Sequence, residues 1–183
     1  MAKETLVHKE KKDSTAKWFI IGIIPILNLY YLWKSAENVA GHEKATKKYE
    51  YLDHLKPKDD TIKWFAIFLS PMIIGALIGA VTYFLASTDT WMFFYFSGGS
   101  MIVMALTLVL AIVTAAIGLY ILWKLAEVVS GHDKVYNKHE SLEHKEKKDS
   151  TIKWFIIGLI PIVNLYFFWK MAETISGHEQ IYE

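Results

Sequence analysis

One motif occurs three times in this chain of 183 residues. Each copy opens on D-[SD]-T-x-K-W-F, at Asp13, Asp59 and Asp149. Each closes on L-Y-x-x-W-K-x-A-E-x-x-x-G-H-[ED], at Leu29, Leu119 and Leu165. Three equal edges restrict the fold to three related units that meet in related ways. The copies run over 1–52, 53–143 and 144–183. They differ between their tryptophans: Trp18 to Trp33 and Trp154 to Trp169 are 15 residues apart, whereas Trp64 to Trp123 is 59. The middle copy therefore carries a 44-residue insertion, the length of two membrane spans and a turn.

The insertion is apolar. Trp91 to Trp123 and Trp64 to Ser87 contain only one charged residue between their ends and across their junction, Asp89. Each run exceeds the roughly 20 residues that a helix needs to cross a bilayer. Spans are expected over 64–86 and 100–123. Ser87, Asp89 and Thr90 form the expected turn, and Trp91–Phe96 with Gly98–Gly99 an interfacial aromatic segment.

The outer copies have about 16 apolar residues between their flanking lysines, or roughly 24 Å of helix against a core of about 30 Å. Each is interrupted at its centre, by Pro25 with Asn28 and by Pro161 with Asn164. Proline removes a donor and breaks or kinks a helix. These segments, 18–33 and 154–169, are read as re-entrant hairpins with Pro25, Asn28, Pro161 and Asn164 at their tips. Single tilted spans are the alternative. The hairpin reading puts every lysine on one side, which the positive-inside rule makes cytoplasmic, with both termini and the Lys-rich linkers. The charged first residues and the lack of a small-residue cleavage pattern speak against a cleavable signal peptide.

The expected fold is an all-α integral membrane protein with a three-fold internal repeat. A central transmembrane helix pair is flanked by two Pro-broken re-entrant hairpins. Helices continuing past the second tryptophan are expected to lie as amphipathic helices on the cytoplasmic surface. Leu125, Val128, His132, Val135, His139 and Leu142 recur at helical spacing, with a weaker stripe at Ala36, Val39, Tyr49 and Leu52. Trp18, Trp33, Trp64, Trp123, Trp154 and Trp169 each lie beside or one residue from a lysine, an interfacial anchor pattern. Gly75 and Gly79, with Ala76 and Ala80, form a small-xxx-small face. The face around Ala111, Ala115 and Gly118 is its expected partner.

Six of the seven histidines stand at repeat-equivalent places: His8, His54 and His144 before each unit, and His42, His132 and His178 after it. Glu43, Asp133 and Glu179 follow the second set. Three histidines and three carboxylates brought together could hold a transition metal. A triplicated interfacial histidine on a surface helix explains the same pattern. No cofactor is otherwise expected. Lys34–Glu37, Lys124–Glu127 and Lys170–Glu173 are spaced as helical ion pairs.

Composition removes several functions. Cysteine is absent, so there is no disulfide, thiolate site or Cys nucleophile. All 20 basic residues are lysine and the net charge is +1, which leaves no nucleic-acid signature and no arginine clamp. No nucleophile elbow, phosphate loop or H-E-x-x-H motif is present, so no enzyme is expected.

Gly118–Glu127, G-L-Y-I-L-W-K-L-A-E, resembles a prokaryotic membrane domain of unknown function. That family has a short aromatic-rich hydrophobic segment ending in Y-x-x-x-[WY]-K. The resemblance implies a membrane domain and no particular activity. The expected function is a non-enzymatic membrane scaffold, either an accessory subunit of a larger complex or a membrane-shaping protein. Its partners would be the lipid bilayer and a protein partner or a second copy. The alternative is a metal-ion or small-molecule handling protein, a transporter or channel component, using the repeated Gly-His-acid sites.

Overall fold

A computed structural model describes residues 3–45, 50–87, 99–136 and 140–182. The expected turn beyond Ser87, the Trp91–Phe96 segment with Gly98, Tyr49 and His139 lie outside them.

The chain is mostly helical. It runs β1 (Glu4–His8), α1 (Thr15–Ile23), α2 (Pro25–Ala40), β2 (His42–Ala45), β3 (Tyr51–His54) and α3 (Thr61–Ser87). It continues through α4 (Gly99–Ser130), β4 (His132–Val135), β5 (Ser141–His144), α5 (Thr151–Leu159), α6 (Asn164–Ser176) and β6 (His178–Tyr182). Two compact units result: 1–65 with 122–183, and 66–121.

Helices α3 and α4 are long and apolar enough to cross a membrane, and their most apolar stretches are scarcely buried within the chain. Pro71 lies inside α3 without ending it. Among the described residues, a Cβ built on Gly75, Gly79 or Gly118 would have no neighbour within 4 Å, so these show no close approach at the three glycines.

The outer segments are each two helices. Ser14 and Ser150 cap α1 and α5, accepting hydrogen bonds from the amides of Lys17 and Lys153. The first helix stops before Pro25, which then occupies the first turn of α2, where its missing N–H costs nothing. The Asn28 side-chain amide donates to the Gly22 carbonyl across the break. Chain reversal brings Trp18 against Tyr30, with ring centroids 5.5 Å apart, and Trp154 against Tyr166 at 5.8 Å. The two hairpins pack on each other: Phe19 meets Trp169, and Tyr31 stacks on Phe168. Their tips remain apolar and uncovered, Ile26 being 83% and Ile162 85% exposed.

Trp18, Trp64 and Trp154 are buried, and Trp18 and Trp154 belong to the core with Tyr31, Phe167, Met171 and Ile175. Of the six tryptophans read as anchors, these three are therefore covered by the chain itself. The hairpin fold turns the first tryptophan of each outer copy inward under a tyrosine. Trp123 and Trp169 remain well exposed and Trp33 partly so.

The surface helices are corrected. The helices end at Ala40, Ser130 and Ser176, each before a glycine, and the chain enters short strands. Strand β1 pairs with β6, β2 with β3, and β4 with β5, all antiparallel. The stripe from Leu125 to Leu142 is thus split between a helix and two opposed strands. Strand β1 of the first copy pairs with β6 of the third, and β3 and β5 run across the copy boundaries, so the structural units straddle the repeat junctions.

The three pairs close a ring. Leu6 packs on Gly41, Leu52 on Gly131 and Leu142 on Gly177, so each pair leans on the next and the last on the first. Backbone bonds follow the same circuit: the Lys58 amide donates to the Glu4 carbonyl, Lys148 to Glu50 and Lys12 to Glu140, each at 3.1 Å.

Candidate metal centre

The strand register places histidine opposite histidine: His8 faces His178, His42 faces His54, and His132 faces His144. Ring closure then gathers all six. Their ring centroids lie 4.4–4.6 Å apart within the set His8, His54 and His144. Within the set His42, His132 and His178 they lie 4.7–4.9 Å apart.

The second set is fixed by the helix ends. Two residues beyond each last helical turn, the Nδ1–H of His42 donates to the Asn38 carbonyl at 2.5 Å. That of His132 donates to Val128 at 2.6 Å, and that of His178 to Thr174 at 2.7 Å. A carbonyl can only accept, so these bonds fix the proton on Nδ1 and leave Nε2 a bare lone pair. Metal-binding histidines are held in this way by a donor bond from the other ring nitrogen.

The lone pairs face one another. His132 Nε2 and His178 Nε2 are 3.2 Å apart, although each ring has committed its proton elsewhere. Among the described residues, the buried Nε2 atoms of His8, His42, His54 and His144 have no hydrogen-bond partner within the chain. One ligand nitrogen from each of His8, His54, His132, His144 and His178 lies within 4.8 Å of all the others.

Burial keeps the rings neutral. It pushes His54 down to about 3, and His8 and His144 to about 4. It holds His42, His132 and His178 well below the ordinary value, reinforced by the neighbouring imidazoles. Neutral imidazole is the ligand form, so a metal would displace few protons.

The structure brings together His42, His132 and His178 but not Glu43, Asp133 and Glu179. Those three acids are exposed. Neighbours along a strand point to opposite faces, so an inward histidine sends the following acid outward. The place proposed for carboxylates is taken by His8, His54 and His144. Their three-fold recurrence was visible in the sequence; the pairing that sets them opposite the other three was not.

The Lys-Glu pairs form as spaced: Lys34–Glu37 at 2.7 Å, Lys124–Glu127 at 3.0 Å and Lys170–Glu173 at 2.7 Å. Glu173 also receives Lys12 at 3.0 Å, and both side chains are buried.

No protein-family model, curated protein or solved structure matches this chain.

Proposed function

We propose that this is a non-enzymatic, membrane-anchored metal-binding protein in which a divalent transition-metal ion joins the three repeats. The observation that carries the reading is the convergence of six neutral imidazoles, five of them with ligand nitrogens within 4.8 Å of one another, and with four buried Nε2 atoms that have no hydrogen-bond partner. A buried polar atom left without a partner costs on the order of 1–3 kcal/mol. Four such nitrogens would consume a large part of the roughly 5–15 kcal/mol by which a domain is stable. A cation at their centre reverses the sign of that term. The donor set is nitrogen alone, which suits iron, cobalt, nickel, copper or zinc over magnesium or calcium.

Around this hub the protein acts as a scaffold. Helices α3 and α4 cross the bilayer, and the two hairpins enter one leaflet with their apolar tips. All 20 lysines lie in the histidine-bearing unit, which supports a cytoplasmic position for it and for the chain ends. The bilayer is the partner that these exposed apolar faces fit. No charged residue lies in α3 beyond Lys63, or in α4 before Lys124, and this weighs against an ion pathway.

Metal analysis of the full chain in detergent tests the proposal. After loading with each of the five metals and desalting, one equivalent is expected to remain on the native protein. The double variant His132→Ala/His178→Ala should lose it. A native protein that retains no stoichiometric metal would sink the reading.

A further inference from the structure

Resting on the metal-binding reading above, we infer that the site is one coordinatively saturated octahedral centre, a trigonal antiprism of two three-histidine tiers that takes iron(II), cobalt(II) or nickel(II).

The geometry follows from which rings neighbour which. The helix-end tier is His42, His132 and His178; the strand tier is His8, His54 and His144. Across the tiers, His8 lies beside His132 and His178 at 5.5 and 4.8 Å. His54 lies beside His42 and His178 at 4.9 and 5.3 Å. His144 lies beside His42 and His132 at 5.2 and 4.9 Å. Among the described ring contacts, three pairings do not occur: His8 with His42, His54 with His132, and His144 with His178. Each histidine therefore has one opposite and is flanked by the rest, as at the vertices of an octahedron.

Size agrees. Nε2 at about 2.1 Å from an ion places ring centroids about 3.2 Å from it and adjacent centroids about 4.6 Å apart in an octahedron. The observed separations of 4.4–5.5 Å bracket that value. Opposed nitrogens would be about 4.2 Å apart; His54 with His132 and His144 with His178 lie within 4.8 Å of each other, whereas His42, opposite His8, stands outside this close set and completes the shell by moving inward onto the ion. The 3.2 Å between His132 Nε2 and His178 Nε2 is an adjacent edge, expected at about 3.0 Å.

Two chemical consequences select the ion. Zinc favours four ligands, and copper(II) favours a tetragonal set, so a regular hexa-imidazole shell fits neither well. Six neutral ligands also leave the full ionic charge uncompensated, because Glu43, Asp133 and Glu179 face outward. That favours the divalent over the trivalent state. With no open position, the ion cannot bind substrate or water directly. It works by fastening strands, above all β1, which no loop of a hairpin joins to its partner β6.

Cobalt(II)-loaded full chain in detergent distinguishes the outcomes. A weak visible absorption, with an X-ray absorption shell of six nitrogens and no change on adding azide, is the expected result. His8→Gly should lose one nitrogen from that shell, bind azide, and regain the native spectrum with free imidazole. Strong four-coordinate absorption, or azide binding by the native protein, would overturn the octahedral assignment while leaving metal binding intact. Retention of zinc or copper but not of cobalt, nickel or iron would overturn the octahedral assignment alone; retention of none of the five metals would overturn both readings.

Discussion

At the scale of single residues, the ring depends on three glycines that admit leucines. A Cβ on Gly131 would lie 2.6 Å from the Leu52 Cβ, with no flexible end to move aside. Gly131→Ala should therefore destabilise the protein by about 1–3 kcal/mol, the usual cost of overpacking. Adding Leu52→Ala should not recover the loss, because alanine keeps the Cβ that clashes. Gly75→Ala, inside a helix and facing open space, should not lower the detergent unfolding midpoint. Glu173 supplies a second residue-level test. Burial alone would raise its carboxyl, but hydrogen bonds from Lys170 and Lys12 outweigh that and hold it below the usual 4.5. A carboxyl depressed on folding stabilises fully above its unfolded value, and the contribution drains away as pH falls through the folded one. Unfolding midpoints measured downward from pH 5 should fall more steeply for the native protein than for Glu173→Gln. Glu173→Ala leaves Lys12 buried without this carboxylate and should cost about 3–5 kcal/mol at neutral pH.

At the scale of elements, length and proline marked what was legible. Helices α3 and α4 follow from uncharged runs longer than a bilayer is thick, and the breaks in the outer copies from Pro25 and Pro161. The strands were hidden. H-E-K-A and H-D-K-V have neither the β-branched content nor the alternation that announces a strand. Leu52 and Leu142 are the buried residues of β3 and β5, and their burial is against glycines remote in sequence. Local propensity cannot report a pairing whose energy lies in another repeat. For the same reason the six histidines could be counted but not assembled. Cysteines placed at Ala45 and Ser141, in β2 and β5, test the side of the membrane. A membrane-impermeant thiol reagent added to intact cells should label neither; labelling would mean that the histidine-bearing unit faces outward, the reverse of the proposed orientation.

At the scale of the whole molecule, stability should track metal. A ligand that binds only the folded state at 100 times its dissociation constant adds about 2.7 kcal/mol. Chelation of the loaded protein should therefore lower its unfolding midpoint. Restoring cobalt should return it, with no such response in His132→Ala/His178→Ala. The effect belongs to the ring as a unit, because every strand pair contributes histidines and leans on the next.

The pairing of β1 with β6 sets an order on biosynthesis. The first strand is made before any membrane segment and its partner after all of them. Until the last strand leaves the ribosome, His8 has no cross-strand neighbour, and Leu6 can sit on Gly41 only as a provisional contact. Synthesis of both helical hairpins and of the α3–α4 pair therefore comes before ring closure. A chain halted anywhere upstream of His178 would reach the membrane as an open arc with an incomplete ligand set, so nascent fragments would compete poorly with finished copies for scarce metal.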